Sequence, residues 1–270
     1  NVHLMLLSGI GEPYDPATGK GIIGKNYAYD TGVGGNLFFE GKNFNPFISA
    51  GGTNTVIDDF YGNWEFDRSK PTFVGGYIVS SGHNTALPIG YRPVPPGTPS
   101  WGKDWKAATA KYYQQAMSIT TRSGVLPNRY NYLDLDTSYK NAFGQPLMRL
   151  TFDFKDNEHK MGMHGADIVN QMISAVNPNK SSKASGAKRN WGFTPYQSTH
   201  NTGGTIMGTT PGNSAVNKYQ QSWDCHNLFL VGANVFPHNS AYQPTGLVGA
   251  MAYWTADAIK NKYLKNPGLL

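Results

Sequence analysis

Trp223-Asp224-Cys225-His226-Asn227-Leu228-Phe229-Leu230-Val231-Gly232-Ala233-Asn234-Val235-Phe236-Pro237, continued at Tyr242-Gln243-Pro244-Thr245-Gly246, is the stretch on which the reading of this chain turns. Leu228–Val231 is a short apolar run and predicts a buried strand. Gly232, Ala233 and Asn234 predict a tight turn of small residues. Pro244 and Thr245 mark a helix start, with Thr245 as the N-cap candidate. The helix is expected from Gly246 to Leu264, where Leu247, Val248, Met251, Ala252, Thr255, Ala258 and Ile259 form one apolar stripe. A helix N-terminus presents unpaired N–H groups and the positive end of the helix dipole, so this start suits an anionic group.

Upstream lies Thr199-His200-Asn201-Thr202-Gly203-Gly204-Thr205-Ile206-Met207-Gly208. A histidine beside a glycine pair and small hydroxyl residues sits on backbone that can approach another group closely. Taken alone, the segment equally describes a turn with a surface histidine. Further back, Gly165–Val176 places Ile168, Val169, Met172, Ile173 and Val176 on one helix face, and Leu147–Phe154 alternates with strand period. Asp104–Ala116 has helical composition, Asn36–Glu40 and Thr72–Ser80 are β-prone, Tyr91–Trp101 is a Pro-rich loop and Asn177–Asn190 a polar one. Together these predict an α+β chain with a mainly antiparallel sheet flanked by helices.

Gly19-Lys20-Gly21-Ile22-Ile23-Gly24 matches GxGxxG. That pattern signals dinucleotide binding only after a strand and at the start of a helix. Here a turn-like Tyr14–Thr18 precedes it and helix-poor Asn26–Gly32 follows, so it reads as a structural glycine loop. The chain opens Asn1-Val2-His3-Leu4-Met5-Leu6-Leu7-Ser8 with no initiator Met and no basic leader, and is expected to be the interior of a longer protein.

Composition narrows the function classes. The 270 residues carry a formal net charge of +6, which permits nucleic-acid binding. Lys and Arg are scattered, however, and the tight cluster Lys180, Lys183, Lys188 and Arg189 lies in a Ser/Ala/Gly-rich loop, so no nucleic-acid partner is expected. A single cysteine, Cys225, excludes a disulfide framework and a CxxCH haem site. No metal ligands are assigned.

The ordered motifs SGIG (Ser8–Gly11), GKN (Gly24–Asn26), HxxGGTxMG from His200, NLFLVGANVFP from Asn227 and QPTG from Gln243 resemble the C-terminal half of the glucose–methanol–choline (GMC) oxidoreductases. The nearest likeness is to the bacterial branch containing flavoprotein subunits of gluconate, sorbitol, fructose and glucose dehydrogenases. The motifs cover about the first 30 and last 80 residues. The resemblance implies an FAD-dependent dehydrogenase that oxidises a sugar, polyol or gluconate-like sugar acid by hydride transfer to flavin N5. His200 matches the family histidine that takes the hydroxyl proton, a task suited to an imidazole that is neutral near pH 7. Gln243 stands where the family has His or Asn; it can hydrogen-bond a substrate hydroxyl but cannot act as acid or base. Asn26, Gly232, Ala233, Asn234, Pro244 and Thr245 match cofactor-contacting positions. Residues 1–29 and 191–270 are implied to be parts of an FAD-binding domain, with 30–190 as the substrate domain. The ADP-binding half is implied to lie upstream, so the chain alone is not expected to turn over. Implied partners are that N-terminal half, a cytochrome c subunit and a small subunit, in the periplasm and peripheral to the inner membrane.

The competing reading is a non-enzymatic carbohydrate-binding module, with Trp64, Trp101, Trp105, Tyr112, Tyr113, Tyr130 and Tyr132 stacking on sugar rings. A β-rich core would produce the same aromatic content. A serine hydrolase is disfavoured, since no GxSxG elbow is present.

Overall fold

Leu37 and Phe38 are adjacent in sequence, both buried, and belong to different apolar clusters, because successive side chains of a strand point to opposite faces. They lie on β2 (Gly34–Phe38), near the middle of an antiparallel five-stranded sheet. In the computed structural model, which describes residues 1–45, 55–61, 67, 69, 72–82, 93–186 and 199–270, the sheet order is β3-β4-β5-β2-β8. Its other strands are β3 (Thr55–Ile57), β4 (Tyr77–Gly82), β5 (Ala116–Ser123) and β8 (Lys180–Ser181). Leu37, Tyr77, Val79 and Ile119 pack with Met161, Ala166, Val169 and Ile173 of helix α3 (Asp156–Val176), while Phe38 packs with Tyr112 of helix α2 (Gly102–Tyr112). The helix expected at Gly165–Val176 therefore begins earlier, at Asp156, by about two and a half turns. Glu158 accepts a hydrogen bond from the Lys155 N–H at 2.9 Å and closes its first turn. The loop expected at 177–190 contains β8, which pairs with Leu37 and Phe38 of β2.

This sheet, with α2 and α3, forms one of two compact units: Thr31–Ser123 with Lys155–Arg189. The other gathers Asn1–Asp30, Gly124–Phe154 and Asn190–Leu270. The span 30–190, expected as one domain, is thereby divided, because hairpin β6 (Tyr132–Lys140)–β7 (Pro146–Thr151) bonds to the N-terminal segment. Leu133 N–H reaches Gly24 O at 2.9 Å and Tyr27 N–H reaches Asn131 O at 3.0 Å.

In this second unit the apolar core joins Val2 and Met5 of helix α1 (Val2–Ser8), Ile23, Tyr27, Leu133, Val216, Leu230, Val235 and Phe236. Asn1 Nδ2 donates to Val231 O at 2.9 Å, so the N-terminal segment lies against the 228–232 run. That run is not the buried strand expected from its composition. It makes one isolated bridge, Gln221 to Phe229, and Val231 is 39% exposed. Its hydrogen bonds go back to the preceding turn: Ser222 N–H to Leu228 O and Leu230 N–H to Gln220 O. The glycines of the GxGxxG match open no helix; the chain passes directly into β1 (Lys25–Ala28). Among the described residues no helix is long and apolar enough to cross a membrane. Lys188, Arg189 and Trp64 lie outside the described residues.

Candidate active site

β1 pairs antiparallel with β9 (Thr202–Gly204), with Ala28 opposite Thr202. Two residues beyond that pair on either side stand Asp30 and His200. His200 Nδ1 lies 2.9 Å from Asp30 Oδ2, and the Asp30 residue is 5% exposed. An ionised carboxylate only accepts hydrogen bonds, so opposite one Nδ1 is the donor, and in a neutral ring the lone pair is then on Nε2. Nε2 has no protein partner among the described residues, and the His200 side chain is 16% exposed.

The backbone of His200 has φ 64°, in the left-handed region. Buried Asn239 holds it there: Asn239 Nδ2 donates to His200 O at 2.6 Å, while the Asn239 main chain pairs with Val125. Such conformations persist where the surroundings over-determine them, and they concentrate at functional sites. Following His200, Asn201 accepts a hydrogen bond from the Tyr27 hydroxyl. A cavity of about 600 Å³ opens beside Asn201, Thr202 and Gly203, lined also by Tyr27, Asn234, the start of α1 and apolar side chains of the β6–β7 hairpin; His200 itself does not line it.

The other expected positions divide into two groups. Asn26 lies on the β1–β9 ribbon, where a Cβ on Gly203 would stand 2.1 Å from the Asn26 carbonyl oxygen. Gly232 precedes, and Ala233 and Asn234 enter, a short 3-10 turn (Ala233–Val235) tied to the same ribbon. Asn234 Nδ2 donates to Thr205 Oγ1 at 2.6 Å, and Thr205 N–H donates to Asn234 O at 3.0 Å. These residues and His200 are thus joined through segment 200–205. Gln243, Pro244 and Thr245 instead open helix α4 (Thr245–Ala258), and no hydrogen bond among the described residues links Gln243 to His200. Thr245 is not the N-cap expected of it. Pro244 already has φ −74° and ψ −14° and takes the boundary, so Thr245 is the first helical residue and caps nothing. His238, in the same loop, is exposed. No cluster of three or more His, Cys, Asp or Glu able to hold a metal exists among the described residues.

Asp30, Asn239 and Tyr27 were not marked by any sequence motif. Their roles depend on pairings across 39 to 174 residues of chain.

Residues 127–252, which include His200 and the turn at 232–234, match the family model for GMC oxidoreductase. Over that stretch the chain is similar to the C-terminal domain of the GMC oxidoreductases. Over 272 aligned residues, all of this chain, it is 45% identical to the gluconate 2-dehydrogenase flavoprotein of Pantoea cypripedii and covers 44% of that protein. It is 26% identical over 262 residues to the fructose dehydrogenase large subunit of Gluconobacter japonicus, covering 96% of this chain and 44% of that one. The chain spans under half the length of these relatives. Pyridoxine 4-oxidase from Mesorbium loti shares the fold, with a TM-score of 0.53 at 15% identity over 88% of this chain and 44% of that one.

Proposed function

We propose that this chain is the substrate-side half of a periplasmic FAD-dependent dehydrogenase acting on a sugar, polyol or gluconate-like sugar acid, with His200 as the base. The observation that carries the reading is His200 itself: a half-buried imidazole on strained backbone, its Nδ1 engaged by Asp30 and its Nε2 without a partner among the described residues. The likeness to a gluconate 2-dehydrogenase flavoprotein and a fructose dehydrogenase large subunit supports the cofactor, the substrate class and the presence of further subunits. A cytochrome subunit and a small subunit are the partners we assign.

The start of α4 fits the flavin. Thr245, Gly246 and Leu247 precede the first intrahelical bond, Val248 N–H to Pro244 O at 2.9 Å, so their N–H groups point out of the helix end. A Cβ on Gly246 would meet nothing within 4 Å. An open, donor-rich helix end suits the electron-rich edge of a flavin. Pro244, Thr245 and the turn Gly232–Asn234 would hold the group. When bound, FAD supplies the acceptor for the hydride that leaves the carbinol carbon. His200 Nε2 accepts the hydroxyl proton, and the ring's new charge is balanced by Asp30 across Nδ1. Gln243 orients the substrate hydroxyl by hydrogen bonding and moves no proton.

The test is His200→Ala in the full-length protein. Turnover should fall about 10²- to 10⁴-fold, the range of a positioned general base, with substrate binding little changed. His238→Ala is the comparison. Loss of turnover in His238→Ala with full activity in His200→Ala would move the base to His238.

A further inference from the structure

We infer that Asp30 is a positioning residue for His200, locking the imidazole in the Nδ1–H tautomer so that Nε2 faces substrate as the proton acceptor. The inference rests on the reading of His200 as the base. It adds a residue that lies outside the stretch 127–252 matched by the family model.

Three observations converge on it. Asp30 and His200 each lie two residues past the Ala28–Thr202 pair, on the segments that leave β1 and enter β9. The Asp30 carboxylate is buried, and burying a carboxylate is costly without strong hydrogen bonds to its oxygens. Its Oδ2 lies 2.9 Å from Nδ1, at hydrogen-bond length. The main chain of His200 is held separately by Asn239, so the two constraints divide the work: Asn239 fixes the peptide and Asp30 fixes the ring. Which imidazole nitrogen carries the proton is set by the hydrogen bond the other one makes. A neutral imidazole without such a partner favours the Nε2–H form, in which the nitrogen facing substrate has no lone pair to offer. Asp30 reverses that preference, and its charge then faces the imidazolium that forms when the hydroxyl proton arrives on Nε2. The proton resides on His200, Asp30 stays ionised, and no other bond is made or broken in this step.

The experiment uses the full-length protein with ¹⁵N-labelled histidine, reading the two ring nitrogens of His200 by NMR alongside kcat, KM and flavin content. Wild type should show a neutral His200 protonated at Nδ1. Asp30→Ala should move the proton to Nε2 and lower kcat by about 10²-fold or more, with KM and flavin content near wild type. Added formate should restore part of kcat, which a merely structural defect would not allow. Asp30→Asn fills the same space and guards against misfolding. Its amide can donate to the ring, so it too should show the Nε2–H form and reduced kcat. Retention of the Nδ1–H tautomer in both variants, or full kcat in both with His200→Ala inactive, would overturn the inference. A tautomer that moves as expected while His200→Ala keeps full turnover would uphold the positioning by Asp30 and sink the assignment of His200 as base.

Discussion

Replacing Gly24 with alanine should cost the fold several times more than the same change at Gly19, although both belong to one GxGxxG match. Gly19 has φ 77°, and a Cβ there would meet only Arg129 Nη2, at 3.9 Å. The cost is the left-handed conformation, about 1–2 kcal/mol, offset by roughly 0.4–1 kcal/mol of lost unfolded-state entropy, so about 1 kcal/mol net. Gly24 has φ 102°, and its Cβ would stand 1.9 Å from the Leu133 carbonyl oxygen, where real Cβ contacts stay beyond 3.0 Å. The β6 strand would have to retreat by more than an ångström, at an overpacking cost of about 1–3 kcal/mol. That retreat strains two hydrogen bonds, Leu133 N–H to Gly24 O at 2.9 Å and Gly24 N–H to Gly204 O at 2.6 Å. With about 1 kcal/mol for each bond and the same conformational cost of about 1 kcal/mol, Gly24→Ala should lose roughly 4–6 kcal/mol, a large share of a typical domain's stability. Gly21→Ala should behave like Gly24→Ala, since its Cβ would lie 2.0 Å from Pro13 O. Urea unfolding of the three variants, followed by fluorescence, reads the ranking directly. Equal stabilities, with Gly19→Ala and Gly24→Ala instead losing adenine-dinucleotide affinity, would refute the packing account and restore the motif as a nucleotide fingerprint.

Two further outcomes follow from other parts of the chain. The Tyr112 hydroxyl at 2.9 Å and the Lys111 ammonium at 3.2 Å hold the Glu40 carboxyl below the usual carboxylate range. A depressed carboxylate stabilises the fold above its unfolded value and loses that effect as pH falls through the folded one. Wild type should therefore exceed Glu40→Gln in urea midpoint above about pH 5, with the gap closing on acidification; a gap that widens toward acid would exclude this pairing. At Gly246, substitution by valine should leave the stability of the chain nearly intact, since nothing lies within 4 Å of its Cβ. In the full-length protein the same variant should lower the flavin midpoint potential by about 20 mV, the equivalent of up to about 1 kcal/mol of helix-terminus electrostatics, and an unchanged or raised potential with FAD bound would mean that α4 does not address the flavin.

The parts of this structure legible in the sequence are those whose information is local. Ile168, Val169, Met172, Ile173 and Val176 carry the helical period within a dozen residues, and α3 runs through them. The glycine loop at 19–24 could be separated from a nucleotide fingerprint because its flanks lack a strand before and a helix after. Helix α1 stayed unassigned because its 7 residues are too few for periodicity to register. Leu228–Val231 misled for the opposite reason: an apolar run has no period, so it cannot say whether its backbone joins a sheet or folds back on the turn before it. The site shows the same divide in sharper form. His200 could be singled out because HxxGGTxMG, read with the other ordered motifs, resembles the family pattern, although the segment alone equally describes a turn with a surface histidine. Asp30 could not, because nothing around Tyr29 and Thr31 says that β1 will pair with β9 across 170 residues. The Ala28–Thr202 pair brings the two segments together, and Asp30 and His200 meet just beyond it. The residue proposed as the base lies in a motif that can be read along the chain, whereas the carboxylate proposed to orient it follows only from topology. An interior carboxylate reached by strand pairing is therefore the kind of group to look for wherever a sequence reveals a base without revealing what holds it.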